Sequence, residues 1–232
     1  MLTLDKINQY YGDSHTLWDL SLEVPDGSCI CLMGRNGVGK TTTLKCVMGL
    51  LPIRCGDIRY NGEALGPLPA ERRAPMKIGY VPQGRDVFPR LTVDENLRIG
   101  FSVCDAAAAN RAYERVLEIF PVLKQMLKRN GGDLSGGQQQ QLAIGRALIL
   151  DPTLLILDEP TEGIQPNIVH EIGDTIMRLN REEGITVLLV EQKLPMARRV
   201  ADRFCVLDKG RAVATGVIDE LDDGIVKEYL TV

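Results

Sequence analysis

At 232 residues, with 44% hydrophobic and 25% charged side chains, the chain has the composition of an ordinary globular protein able to bury a substantial core. A formal net charge of −4 argues against a nucleic-acid binder that relies on overall basicity, and no apolar run is long enough to span a bilayer. Six cysteines with no C-x-x-C pair, beside only two histidines (His15 and His170), exclude the usual zinc frameworks and read as small apolar residues.

In chain order, Leu2, Leu4 and Ile7 alternate roughly as in an edge strand. Residues 20–24 alternate cleanly and end in the turn Pro25-Asp26-Gly27. The apolar run 29–33 predicts a buried strand, and residues 42–48 a helix stopped by Gly49. Between them lies Gly34-Arg35-Asn36-Gly37-Val38-Gly39-Lys40-Thr41-Thr42, which matches G-x-x-x-x-G-K-[ST] in the strand–loop–helix context that this phosphate-binding pattern requires. Its glycines let backbone N–H groups approach a phosphate chain where a Cβ would clash. The helix start adds donors and the positive end of its dipole. Lys40 supplies a mobile positive charge, and the Thr41 hydroxyl is placed for Mg2+. A bound nucleoside triphosphate is the expectation.

Residues 56–60 read as a strand followed by an Asn61-Gly62 hairpin turn, and Arg72-Arg73 as a solvated basic pair. Residues 78–81 form another strand, closed by Pro82-Gln83. Thr92-Val93-Asp94-Glu95 has the capping-box pattern of a helix start. From about 106 to 141 the composition is helical, which suggests a helical subdomain inserted within the sheet domain. Strands follow at 154–158, 186–190, 204–207 and 211–215, then a terminal amphipathic helix. Alternating strands and helices of this kind imply an α/β fold with a mostly parallel sheet covered on both faces.

Two further stretches carry chemistry. The buried strand 154–158 ends in Asp158, suited to holding Mg2+ through water, and Glu159 follows, placed to polarise an attacking water. Leu134-Ser135-Gly136-Gly137-Gln138 opens a helix, and a serine-glycine-glycine turn at a helix start offers free N–H groups, a hydroxyl and the dipole to an anion. An ordinary serine cap is the plainer reading of that turn. One γ-phosphate does not need two helix starts, so a second anion site suggests a second nucleotide contact.

With these motifs in order, the chain resembles the ABC-type ATPases from about residue 2 to its C-terminus. GRNGVGKTT (34–42) is similar to their Walker A loop, LSGGQ (134–138) is identical to their signature, and LLILDEP (154–160) resembles their Walker B. The resemblance implies a P-loop NTPase fold: one ABC ATPase domain over residues 1–232 with a mostly parallel core sheet, an antiparallel β subdomain and a helical subdomain at about 92–150. It implies ATP and Mg2+ as cofactors, with Tyr11 stacking on adenine and Gln83 reaching Mg2+ while sensing a membrane partner. Ser135, Gly136, Gly137 and Gln138 would meet the γ-phosphate held by an opposite ATPase subunit in a head-to-tail dimer. Two positions depart from the family pattern. Gln165 stands near the usual aspartate after Walker B, and Gln192 stands where a switch histidine is usual. Glutamine can donate a hydrogen bond to the γ-phosphate but carries no proton or positive charge, which leaves Glu159 as the water-polarising group.

Within the family, GRDVFPRLTVDENL, LSGGQQQQLAIGRALILDP and LVEQ look like the short ATPase subunit of branched-chain amino acid and urea/amide importers. TEGIQPNIV and INQYYGDSHTLW look more like the urea branch. That branch implies a second, different ATPase (a heterodimer rather than a homodimer), two transmembrane permease subunits and, indirectly, a periplasmic solute-binding protein, with no nucleic-acid partner. The first residues are not those of a signal peptide, so the expected location is the cytoplasmic face of the inner membrane, held peripherally. Val87 and Phe88 are candidates for an exposed contact with the membrane subunits, against the alternative that Phe88 packs locally.

Overall fold

A computed structural model describes residues 1–230. In chain order its elements are β1 (Leu2–Tyr11), β2 (Ser14–Val24), β3 (Cys29–Met33), α1 (Lys40–Val47), β4 (Cys55–Tyr60), β5 (Glu63–Ala64), β6 (Ile78–Val81), α2 (Val93–Arg98), α3 (Ala106–Ile119), α4 (Pro121–Gln125) and α5 (Gly136–Leu148). The remainder are β7 (Leu154–Asp158), α6 (Pro166–Met177), β8 (Thr186–Val190), α7 (Leu194–Val200), β9 (Arg203–Asp208), β10 (Arg211–Val217) and the short α8 (Asp223–Ile225), which runs into π-helical turns.

Two sheets organise them. The larger has the order β10-β9-β3-β8-β7-β6, in which β9, β3, β8, β7 and β6 run parallel and β10 closes one edge antiparallel. Every residue of β3, β7 and β8 is buried, which explains their unbroken apolar runs: a strand covered on both faces has no solvent side to alternate with. Alternation survives as a division between two cores. Cys29, Cys31, Met33, Leu155, Leu157, Val187 and Leu189 face a core shared with α5, α6 and α7. Ile30, Leu32, Leu154, Ile156, Leu188 and Val190 face one shared with α1 and the second sheet.

The second sheet, β2-β1-β4-β5, is antiparallel, and it corrects one expectation: β1 lies between β2 and β4 and is not an edge strand. Its apolar residues at 2, 4 and 7 are all buried although the last step is three, because a register shift between Leu4 and Ile7 absorbs the extra residue. The Asn61-Gly62 turn between β4 and β5 has both residues left-handed, as a two-residue hairpin demands. Arg73, read as solvated, is 3% exposed and folded under the end of α1.

Helices α2 to α5 lie between β6 and β7. Thr92 and Glu95 cap α2 reciprocally, and Ala109, Ala112, Tyr113, Val116 and Leu117 turn α3 toward α5. Gly145 allows that approach, since a Cβ there would sit 2.9 Å from Val116 Cγ1. The six cysteines are free thiols, four of them buried. Burial pushes Cys29 and Cys205 up to about 12, so both stay neutral inside the sheet. Among the described residues no helix is long and apolar enough to cross a membrane, and no His/Cys/Asp/Glu group forms a metal cluster.

Candidate nucleotide site

Parallel strands deliver their C-terminal ends to one edge of a sheet, and crevices for ligands form there. Here β3 runs into the glycine loop, β7 ends in Asp158, and β8 is followed by Glu191 and Gln192. Because Asp158 pairs in register with Val190, the Walker-type carboxylates and Gln192 leave the sheet side by side.

Two glycines of the loop are dictated by geometry. Gly34 has φ +142°, and a Cβ on it would lie 2.4 Å from the Leu207 carbonyl oxygen; Gly39 has φ +109°, with Leu17 Cδ2 2.7 Å from the place of a Cβ. The loop therefore lies tight on β9 and β2. Lys40, 5% exposed, donates from Nζ to the carbonyls of Gly34 (2.8 Å) and Arg35 (2.9 Å), 3.9 Å from Glu159 Oε1. Burial pulls its pKa down, while Glu159 and Asp158 support the charged form. The Tyr11 ring is 47% exposed, and its hydroxyl stands 3.5 Å from Thr42 Oγ1.

Asp158 is 1% exposed, and among the described residues neither carboxylate oxygen has a partner in good hydrogen-bond geometry, the Thr41 hydroxyl being the nearest donor. Burial pushes its carboxyl above the ordinary value; the nearby Thr41 hydroxyl and Lys40 draw it back. A buried carboxylate so poorly supplied with donors is costly, and a hard cation beside it would remove that cost. The oxygens offered by Thr41, Asp158 and Gln83 are of the kind Mg2+ prefers, so the residues fit that ion.

Glu159 adopts a left-handed backbone (φ +49°), at a cost of about 1–3 kcal/mol for a non-glycine residue. Its N–H is fixed to Val190 O at 2.9 Å. Its Oε1 accepts from Gln192 Nε2 at 2.5 Å, and the same amide donates to Asn36 Oδ1 at 2.7 Å. Glutamate, glutamine and loop thus form one chain of contacts. A cleft of about 280 Å3 beside them is lined by Asn36, Lys40, Thr41, Thr42, Gln83 and Glu159 with two loop glycines; Gln192 does not line it. Gln83 donates to Glu162 Oε2 at 2.8 Å.

The signature residues lie elsewhere. Ser135 caps α5, accepting from Gln138 N at 3.4 Å while Gln138 Oε1 accepts from Ser135 N at 2.9 Å. Packing also accounts for Gly137, where a Cβ would meet Ile168 at 2.8 Å; one on Gly136 would meet only the movable Arg85 guanidinium, at 2.9 Å. None of Ser135, Gly136, Gly137 and Gln138 lines the loop cleft, so one chain does not bring the two anion sites together.

Sequence reasoning missed Glu191. It is buried, with Oε1 accepting from the N–H groups of Gln192 (2.8 Å) and Lys193 (2.9 Å) and Oε2 from the Thr161 hydroxyl (2.6 Å). It ties the segment after β8 to the segment after Glu159; a carboxylate directly following a five-residue apolar strand was the available signal. Arg85, also missed, reaches Gln139 Oε1 (3.4 Å) and Glu162 O (3.3 Å). Phe88 is 43% exposed, beside a groove of about 770 Å3, with the Arg146 guanidinium 4.6 Å above its ring.

A glutamate strained over a glycine-walled cradle, next to a buried carboxylate at a strand end, is the layout of a P-loop nucleoside triphosphatase. The ABC transporter family model matches residues 17–162, and the chain belongs to that family, as an ATPase cassette. It is 46% identical over 213 residues to the high-affinity branched-chain amino acid transport ATP-binding protein BraG of Pseudomonas aeruginosa, covering 92% of this chain and 91% of that one. It is 36% identical over 221 residues to the probable branched-chain amino acid transport ATP-binding protein LivF of Archaeoglobus fulgidus (95% and 94% covered). Its fold matches the dimeric structure of a bacterial ABC transporter cassette with a TM-score of 0.85 at 25% identity, over 94% of this chain and 99% of the other.

Proposed function

We propose that this chain is the ATP-hydrolysing subunit of a solute importer, working at the cytoplasmic face of the inner membrane in a pair with a second, different ATPase. The pair would sit on two permease subunits fed by a periplasmic binding protein. The observation that carries the pairing is the separation of two complementary halves. A phosphate cradle lies at one edge of the sheet, and the exposed, Ser135-capped start of α5 lies away from it.

In this reading Tyr11 stacks on adenine, and residues 34–42 present backbone N–H groups to the phosphates. Lys40 leaves the carbonyls of Gly34 and Arg35 for the outer phosphates. Mg2+, when bound, screens phosphate charge, and Thr41, Asp158 and Gln83 are the residues that would hold it. Glu159 polarises the attacking water, with the proton passing toward its carboxylate. Gln192, tied to Glu159 and Asn36, is a positioning donor that can turn to the γ-phosphate. Ser135, Gly136, Gly137 and Gln138 close over the nucleotide of the opposite subunit, so ATP stabilises the closed pair through contacts absent from the open one.

For the cargo we favour urea or short amides, on the strings TEGIQPNIV and INQYYGDSHTLW. The identity with BraG favours a second reading, a branched-chain amino acid importer. The reconstituted membrane complex separates them. Binding protein loaded with urea should stimulate its ATPase severalfold, whereas a response to leucine alone would overturn the urea reading.

A further inference from the structure

A primary amide presents two chemically different ends, and only its oxygen can ligate a hard cation. For Gln83 to serve Mg2+, something must hold the NH2 end away from the ion. The candidate is a residue that no motif singled out. Glu162 Oε2 takes the N–H of Gln83 Nε2 at 2.8 Å. An ionised carboxylate only accepts, so this contact admits one orientation of the amide, nitrogen toward Glu162. The Gln83 oxygen makes no hydrogen bond to any described residue.

Glu162 is itself held by backbone. Its N–H donates to Glu159 O at 3.1 Å, and its carbonyl accepts from Arg85 Nη2 at 3.3 Å. The Arg85 guanidinium also lies 3.8 Å from the place of a Cβ on Gly163. The loop that carries Gln83 and the loop that follows Glu159 are thereby laid against each other twice, once through a side chain and once through Arg85.

We propose that Glu162 is the positioning residue for Gln83, turning its amide so that the oxygen is left for the cation. The inference rests on the reading of Gln83 as a Mg2+ ligand given above. Glu162 touches neither nucleotide nor metal in this account, and it acts as outer partners of metal ligands do, by orienting one.

The test is nucleotide binding without turnover. The affinity of the purified protein for a non-hydrolysable ATP analogue is measured in excess Mg2+ and again in EDTA. Glu162→Ala and Glu162→Gln should each lose about tenfold in the Mg2+ measurement, the lower end of what loss of an outer partner costs a metal site. Neither should change in EDTA, which also shows that the variants are folded. Gln83→Ala should lose a similar amount, and Gln83→Ala with Glu162→Ala should lose no more than Gln83→Ala alone. A loss in Gln83→Ala with none in Glu162→Ala would overturn the positioning role and leave Gln83 as a ligand. Tighter Mg2+-dependent binding in Glu162→Ala would also overturn it, marking the contact as a hold on Gln83. No loss in Gln83→Ala would sink both readings.

Discussion

Asp158 shows how burial of one carboxylate makes a site that a cation would stabilise. Without a cation its buried carboxyl has a folded-state pKa above the reference value of 3.8, chiefly through burial. Between those two values the native state binds the proton more tightly than the unfolded chain. Stability therefore falls as pH rises through that window, and the full cost persists above it. Asp158→Asn removes the charge at nearly constant shape, so in EDTA at pH 8 the variant should be more stable than the parent. A gain of about 1–2 kcal/mol corresponds to roughly 3–6 °C in Tm for a chain of this length. The gain should shrink as the pH is lowered toward 4, and Mg2+ with ATP should stabilise the parent but not the variant. Thermal melts at several pH values read this directly; a gain that grew on acidification would refute the account. The same residue explains a limit of sequence reading. LLILD reveals a buried strand ending in a carboxylate, but how few donors reach Asp158 depends on what the surrounding loops place there. Glu191, equally buried and fully hydrogen-bonded, sits at the end of a strand that looks the same.

At the scale of elements, α1 is held at both ends. Its start is the phosphate loop, and its last carbonyls, at Cys46 and Val47, accept from Arg73 Nη1. The same guanidinium donates to the carbonyls of Leu65 and Leu68, both at 2.8 Å. No carboxylate forms an ion pair with Arg73 among the described residues; carbonyls and the negative end of the helix dipole replace it. Burial accordingly lowers its pKa, although it stays charged. Arg73→Met should cost about 2–4 kcal/mol, because several buried carbonyls lose their donor together. Arg73→Lys should recover less than half of that, since an ammonium cannot reproduce the planar fork. Urea titrations should show the loss as a lower midpoint at unchanged slope. That arginine looked like half of a solvated pair because charge and spacing carry no record of which carbonyls lie nearby. The central place of β1 was hidden for a similar reason: its second neighbour, β4, begins more than forty residues later, and local alternation is blind to long-range pairing. What local chemistry decides was legible. The β3–loop–α1 unit, the Thr92 capping box and the Ser135 cap each sit where short-range residue types placed them.

At the scale of the molecule, the proposed function asks the two candidate anion-binding halves of the chain to meet across a pair of cassettes. The Ser135–Gln138 segment does not line the cleft of the glycine loop, so in the proposed pairing the loop of one ATPase meets the α5 start of another. Glu159→Gln tests this, because it keeps the side-chain shape and the link to Gln192 while removing the charge proposed to polarise water. Mixed with the partner ATPase and ATP, this variant should elute as a closed dimer on size exclusion, and with ADP or no nucleotide as monomers. Moving the population from about 1% to about 99% dimer requires ATP to favour the closed state by roughly 10^4-fold. That is more than one loop alone can supply, since the loop's contacts exist in both states. In the proposed pairing the excess comes from the opposing Ser135–Gln138 segment. Adding Ser135→Arg, which places bulk and charge at the cap, should return the ATP-loaded mixture to monomers while leaving ATP binding to each monomer unchanged. Monomers from Glu159→Gln with ATP and partner present, or dimers that survive Ser135→Arg, would show that the two halves do not meet across a pair.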